Sequence, residues 1–264
     1  MEHHDQLTKL IGLAVILLVA VCGSACRNYN CSCEDLSPYA KLTIPEGEGP
    51  FPAIVLLHGC GGMRSSYPHR WDQRLAEWGY VSLQVDSLTS RGISSICTGG
   101  MISMEMLPYR VEDAYLARNY LATLDSVDPD RIGVMGWSHG GTTTIKAVNN
   151  SGEPTRAKPF TAAVAFYPAC YKSIDPISPL LILSGAKDRW TPADFCSRHA
   201  PVGEPTDTFQ IKVYSEAHHC FDWVGIDTEQ QGHILKYHPR HAAEAFMEVK
   251  AFLHKNLANN VPLI

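Results

Sequence analysis

The sequence lacks an excess of positive charge and lacks any apolar run long enough to cross a membrane. Its 264 residues carry a net charge of -5, so a nucleic-acid-binding role built on phosphate neutralisation is not expected. The longest apolar run, residues 10–21, is about half of the roughly 20 residues that a bilayer core requires. Internal repeats and low-complexity tracts are also missing. What is present is 45% hydrophobic residues, which excludes a disordered or collagen-like chain and is enough for a core.

Cysteine is too sparse for a disulfide scaffold, yet nine cysteines are many for a chain kept in a reducing cytosol. The apolar run at 10–21 is typical of a signal peptide, and the small residues Gly23 and Ala25 predict cleavage after Ala25. An uncleaved membrane anchor, lipidation of Cys26 and a buried helix are the alternatives. Cleavage would leave an even number of cysteines, as in proteins of oxidising compartments. We therefore expect an exported protein, periplasmic or secreted, with membrane attachment through the N-terminal segment left open.

The rest of the chain alternates strand and helix patterns. We predict a signal peptide or N-terminal anchor over residues 1–25, a linker over 26–38 and one domain over 39–264. Apolar runs predict strands at 41–44, 52–58, 80–86, 131–137, 161–167, 180–184 and 209–214, and helical patterns cover 66–78, 109–124, 139–148 and 240–257. Such alternation predicts an α/β fold with a mainly parallel sheet and helices on both faces. A long loop at 87–108 is a candidate lid.

The clearest chemical signal is the segment Gly136-Trp137-Ser138-His139-Gly140. It matches G-x-S-x-G and lies between a predicted strand and a predicted helix, as a nucleophile elbow requires. The turn holds the serine in a strained conformation and brings backbone close, so the flanking positions must be small. We predict Ser138 as a catalytic nucleophile, the alternative being a spectator serine in a tight turn.

A serine nucleophile needs a base and an acid that orients the base. Asp188 directly follows the predicted strand 180–184, although it could instead cap a helix near Thr191. His218 and His219 follow the strand 209–214, and these residues alone leave the choice of base open. A structural histidine pair is the alternative. A zinc site is not expected, because adjacent ligands on an extended loop point apart.

An oxyanion hole needs two backbone N–H groups. The first is expected from His139, the residue after the nucleophile. The second is expected from the loop H-G-C-G-G at 58–62, with Cys60 as the donor and Gly61 as its rival. The Cys60 side chain is not expected to be the nucleophile, because Ser138 occupies the elbow.

Together these motifs resemble the dienelactone hydrolase family of α/β-hydrolases. The resemblance rests on L-L-H-G-C-G-G, V-D-S-x-x-x-R-G, G-W-S-H-G-G, Y-P-x-C, K-D-R-W-T-P-A and H-H-C-F-D-W, and it runs from about residue 41 to 257. It implies an α/β-hydrolase fold and a triad of Ser138, Asp188 and His219. The founding members use a cysteine nucleophile, so their lactone specificity cannot be transferred to this serine variant.

The expected function is hydrolysis of a carboxylic ester or lactone through an acyl-enzyme. A small-peptide serine peptidase and a catalytically silent binding protein are the alternatives. Arg91, in the 87–108 loop, is a candidate for binding a substrate carboxylate, unless it pairs with a surface acid. The expected partner is a small-molecule ester or lactone, with no nucleic acid, no cofactor and no metal.

Two disulfides are predicted from the positions of cysteines after strands. Cys170 and Cys196 follow the strands 161–167 and 180–184, and Cys60 and Cys97 follow 52–58 and 80–86. Loops that leave the same edge of a sheet can bring two Cα atoms within the roughly 4.4–6.8 Å that a disulfide needs. The alternative is buried, reduced thiols.

Overall fold

The computed structural model describes residues 39–63, 71–98, 100–150, 158–200 and 208–257. The predicted leader, its cleavage site, the lipidation site and the linker lie outside these residues. None of the helices that the structure describes is both long enough and apolar enough to cross a membrane.

In the described residues, seven strands form one sheet in the order β1-β3-β2-β4-β5-β6-β7. Strand β1 pairs antiparallel with β3, and all other pairs are parallel. The mainly parallel α/β sheet is confirmed, and each predicted strand is present. The bounds are β1 Ala40–Thr43, β2 Phe51–Leu57, β3 Val81–Val85, β4 Val127–Trp137, β5 Ala163–Phe166, β6 Leu180–Gly185 and β7 Phe209–Tyr214.

Helices cover both faces of this sheet. Their bounds are α1 Trp71–Glu77, α2 Met101–Leu121, α3 His139–Val148, α4 Ala193–His199 and α5 Pro239–Leu257. Helices α2, α3 and α4 pack on one hydrophobic cluster, and α1 and α5 pack on another. The alternation of β2 explains the two layers, because Val55 belongs to the first cluster and its neighbours Ile54 and Leu56 to the second.

The prediction of a long loop over residues 87–108 is wrong for residues 101–108, which are helical. Residues 89–91 form a short 3-10 helix, and α2 begins at Met101 and continues through Pro108. A proline inside a helix removes a hydrogen bond and normally breaks the helix. Here Met106 is buried against Leu88 and Ile96, and this packing compensates for the proline. The second turn of α2 is therefore packed against the loop that follows β3, while Met101 and Ile102 in the first turn are exposed.

A two-stranded hairpin, β8 (Asp227–Gln230) and β9 (His233–Lys236), follows the main sheet and was not predicted. Every residue of β8 is exposed, so the strand has no apolar alternation to detect. The connecting residues Gln231 and Gly232 both have positive φ, as a two-residue type I′ turn requires. The hairpin forms one wall beside the candidate site.

Candidate active site

Ser138 lies at a sharp turn between β4 and α3. Its φ of 53° and ψ of -118° are unusual for a residue with a side chain. The flanking glycines are required by space: a Cβ on Gly136 would lie 2.3 Å from the Gly140 oxygen, and one on Gly140 would lie 2.1 Å from the Leu57 oxygen. The elbow therefore presents the hydroxyl at the N-terminus of α3, where the helix dipole favours negative charge.

The structure brings the three predicted triad side chains into one hydrogen-bonded chain. The Ser138 hydroxyl lies 3.0 Å from His219 Nε2, and His219 Nδ1 lies 2.7 Å from Asp188 Oδ2. The adjacent His218 has no hydrogen bond to either partner among the described residues. The histidine favoured by the family resemblance is thus the one beside Ser138.

Asp188 is buried and held by the turn that follows β6. Its Oδ1 accepts the backbone N–H groups of Trp190 and Thr191 at 2.8 and 2.9 Å, and the Thr191 hydroxyl lies 2.8 Å from Oδ2. Burial acts to raise the pKa of Asp188, but the contact with His219 and the hydrogen bonds of Thr191 outweigh it and lower the pKa. Asp188 therefore orients the histidine as a carboxylate and also caps its own turn.

A second buried carboxylate, Asp222, does not contact the histidine. It accepts hydrogen bonds from Trp71 Nε1, Trp137 Nε1 and the Tyr167 hydroxyl, at 3.3, 3.1 and 2.8 Å. The Tyr167 ring in turn packs on His219 with centroids 4.6 Å apart. Asp222 thus fixes the aromatic floor beneath the base.

The candidate oxyanion donors, Cys60 and His139, lie beside the nucleophile. Cys60 and Ser138 line a common cleft, and His139 opens α3 directly after the nucleophile. Among the residues that the structure describes, the backbone N–H groups of Cys60 and His139 have no hydrogen-bond acceptor. Both are therefore available to a ligand oxygen.

A fully buried arginine, Arg110, joins the segments that carry these donors, and it was not predicted from the sequence. Its Nη1 lies 2.6 Å from His139 Nδ1, and its Nη2 donates to the His58 carbonyl at 2.5 Å. His139 Nε2 donates to the Ser103 carbonyl, so its Nδ1 is the acceptor for arginine. Burial, followed by the charge of Arg110, lowers the pKa of both His58 and His139 to about 3. Both imidazoles are therefore neutral.

Both predicted disulfides are present. Cys60–Cys97 has a Cα–Cα distance of 4.8 Å, and Cys170–Cys196 one of 4.9 Å. The first ties the candidate oxyanion loop to the segment after β3. The second ties the loop after β5 to α4. Disulfides of this kind indicate an extracellular or periplasmic protein.

Comparison with known proteins identifies the family of this chain. The model of the dienelactone hydrolase family matches residues 39–257. The chain belongs to the dienelactone hydrolase family. Membership and the serine on the elbow make this family member a serine-type hydrolase.

Individual relatives are distant. The uncharacterised protein YcjY of Escherichia coli (strain K12) is 37% identical over 98 residues, which span 37% of this chain and 30% of YcjY. A Klebsiella pneumoniae subsp. pneumoniae MGH 78578 protein assigned as a dienelactone hydrolase has a TM-score of 0.61 at 21% identity, covering 82% of this chain and 92% of its own. Pyrococcus horikoshii acylaminoacyl peptidase has a TM-score of 0.59 at 18% identity, covering 85% and 40%. These structures share the α/β-hydrolase fold.

Arg91 binds the carboxylate of Asp113 and does not line the clefts at Ser138. Its two terminal nitrogens contact the carboxylate of Asp113, each at 2.8 Å, and Nη1 also donates to the Ser87 carbonyl. Asp113 is buried, so this pair fastens the 3-10 helix to α2. The clefts beside Ser138 are lined by other residues. Arg91 is thus paired with an acid, as the alternative held, but with a buried one rather than a surface one; its role in substrate binding stays a prediction.

Two clefts of this protein open at Ser138. The larger, about 530 Å³, runs past His219 between the candidate oxyanion loop, residues 58–62, and the β8–β9 hairpin. Its walls are mainly apolar and include Trp223, Ile226 and Leu235. The other cleft runs past Ser138 toward Tyr171. Trp190 borders both; its ring stacks on His233 and packs at a tilt against His219, each with centroids 5.1 Å apart.

Proposed function

We propose that this chain cleaves carboxylic esters, lactones included, through the triad Ser138, His219 and Asp188. The single observation that carries the proposal is the continuous chain of hydrogen bonds from the Ser138 hydroxyl through His219 to a buried carboxylate. Membership of a hydrolase family and the elbow geometry support it.

The reaction follows from the positions of these groups. Ser138 Oγ attacks the ester carbonyl while its proton passes to His219 Nε2, and Asp188 stabilises the imidazolium. The oxyanion accepts hydrogen bonds from the N–H groups of Cys60 and His139. The C–O bond then breaks, and the alcohol leaves with the proton from His219. Water, deprotonated by the same histidine, hydrolyses the acyl-enzyme and restores Ser138.

The test is labelling with a fluorophosphonate together with hydrolysis of p-nitrophenyl acetate. The wild-type protein should be labelled and should release nitrophenolate, and Ser138→Ala should lose both, with a rate loss of about 10⁴-fold or more. Unchanged circular dichroism of the variant shows that the fold is intact. An alanine variant that keeps more than a tenth of the activity would remove Ser138 from the role. A wild-type protein that neither labels nor hydrolyses any ester would instead support the silent binding protein.

The two adjacent histidines provide the matched control. His219→Ala should abolish hydrolysis, whereas His218→Ala should retain most of it, because only His219 contacts Ser138 and Asp188. Comparable losses in both variants would contradict the assignment of the base.

Cleavage of short peptides is the second candidate. It is favoured by structural likeness to peptidases, including Porphyromonas gingivalis dipeptidyl peptidase 4, of which this chain covers 33%. A series of aminoacyl and dipeptidyl p-nitroanilides, compared with the matching p-nitrophenyl esters, separates the two. An ester hydrolase should show at least a hundredfold preference for the ester after correction for intrinsic reactivity.

A further inference from the structure

A third cavity, of about 300 Å³, continues from the Tyr171 side of the nucleophile. It lies between α2, α3 and the loop after β5, and it shares five lining residues with the cleft at Ser138. These shared residues are Met104, Leu107, Thr142, Ala169 and Tyr171. The two spaces therefore form one groove that begins at the nucleophile and extends along α3.

The chemistry of the proposed reaction decides which half of an ester lies in this groove. The leaving oxygen must take its proton from His219 Nε2, so the alcohol lies on the side of His219. His219 lines the cleft beside Trp223 and does not line the groove along α3. The alcohol therefore occupies the Trp223 cleft, and the acyl chain extends into the groove.

The walls of the groove are apolar and held in place. Leu107, Ile145 and Ile174 are buried and face it from three different segments. Asn149 fixes the outer wall, because its side chain donates to the Ser173 carbonyl and accepts from the Asp175 N–H. The Cys170–Cys196 disulfide anchors the same wall to α4. A preformed apolar groove of this kind favours an extended hydrocarbon chain.

The far end of the groove is positively charged. Lys146, one turn beyond Thr142 on α3, and Lys172, on the opposing loop, both line it, and none of its described lining residues is an aspartate or glutamate. Neither lysine forms an ion pair within the described residues. Two lysines at one end of a groove whose described lining residues include no acid contrast with a chain whose net charge is -5.

We propose that this groove, which we call the acyl groove, binds an acyl chain that carries an anionic group, such as a carboxylate, at its far end. The inference rests on the proposed ester hydrolysis and names its substrate class: half-esters of medium-chain dicarboxylic acids and compounds of the same shape and charge. Lys146 and Lys172 bind the distal anion, and the apolar walls bind the methylene chain between it and the reacting carbonyl.

The experiment uses three p-nitrophenyl esters with one leaving group: acetate, octanoate and the half-ester of octanedioate. The last two have acyl chains of equal length and differ in the terminal carboxylate. We expect kcat/KM for the octanedioate ester to exceed that for octanoate by about three- to tenfold at low salt, and the preference to shrink at about 0.5 M NaCl as screening grows. Each comparison is a ratio within one protein sample, so the active fraction cancels.

Two variants test the two parts of the groove. Lys146→Ala combined with Lys172→Ala should abolish the preference for octanedioate over octanoate, whereas Lys158→Ala, a lysine paired with Asp130 outside the groove, should preserve it. Ile145→Trp should fill the groove and lower the ratio of octanoate to acetate by about tenfold.

The outcomes separate this inference from the proposed function. Acetate hydrolysis with no preference for the anionic ester, or a preference that survives the double lysine variant, would overturn the acyl groove and leave ester hydrolysis standing. Absence of both hydrolysis and fluorophosphonate labelling would overturn both. Octanoate rates unaffected by Ile145→Trp would place the acyl chain elsewhere.

Discussion

The Arg110 guanidinium connects the two backbone segments that supply the candidate oxyanion donors. It holds the carbonyl of His58, two residues before Cys60, and the side chain of His139. Its positive charge is buried next to two neutral imidazoles, so little solvent screens it. We infer that Arg110 positions both donors and stabilises the negative charge that develops during attack.

Replacing Arg110 by methionine should therefore lower kcat by about 10- to 100-fold with little change in KM, because the charge acts on the transition state more than on the neutral substrate. Arg110→Lys should recover part of the loss. The matched control is Arg118→Met, which removes another buried arginine of α2, bonded instead to the Pro159 and Pro129 carbonyls. Steady-state kinetics with p-nitrophenyl acetate measure kcat and KM for the variants. Equal kcat losses in Arg110→Met and Arg118→Met would show that Arg110 has only a structural role.

The functional roles of single residues could be predicted from the sequence to different degrees. Ser138 and Asp188 could be predicted because each follows a strand in a fixed local context, and the family resemblance selected His219. Arg110 could not be predicted, because a lone arginine within a helical pattern has no local signature and acquires its partners only through the fold. The ion-pair partner of Arg91 could not be predicted for the same reason, since Asp113 lies on α2.

At the scale of elements, the two disulfides should contribute similarly to stability but differently to catalysis. They close loops with separations of 37 and 26 residues, each worth about 3–4 kcal/mol in the chain-entropy model. Replacing Cys60 and Cys97 by alanine should also lower kcat/KM for the acetate ester, because the backbone N–H of Cys60 is a proposed oxyanion donor. Replacing Cys170 and Cys196 should leave that value much closer to wild type.

Urea unfolding and acetate kinetics on the two double variants test this difference. Similar losses of unfolding free energy with unequal kinetic losses are expected. Equal kinetic losses would show that the first disulfide has no specific part in the oxyanion loop.

The elements that the sequence did not predict lie at the clefts. The strands of the sheet were predictable because burial on both faces makes them continuous apolar runs. Strand β8 is wholly exposed, and the start of α2 contains Pro108, so each lacks the pattern by which it would be recognised. The β8 strand pairs with the adjacent β9, the start of α2 is bonded to His139 through the Ser103 carbonyl, and both elements border the candidate site.

For the whole molecule, the buried neutral histidines make stability depend on pH. His58 and His139 have pKa values of about 3 in the folded protein against an ordinary 6.5. Between these values the unfolded chain binds more protons, so the free energy of unfolding should fall as pH decreases from 6.5 toward 3. Each histidine contributes up to about 1.4 kcal/mol per pH unit in this window.

Urea unfolding at several pH values from 4.5 to 7 measures this slope. His139→Gln keeps an acceptor for Arg110 but cannot titrate, so its slope should be smaller by about one proton. Asp188, whose pKa is lowered, loses its contribution only at still lower pH and does not affect this range. An unchanged slope in His139→Gln would contradict the prediction.

Trp190 lies between the two clefts and its ring contacts that of His219, so its fluorescence can report on the site. Trp71 and Trp137 are hydrogen-bonded to Asp222, so their fluorescence should stay constant during the reaction. Filling either cleft, or acylating Ser138, alters the surroundings of the Trp190 indole. Stopped-flow emission traces of the wild type and of Trp190→Phe would then resolve the rise and decay of the acyl-enzyme with unlabelled natural esters.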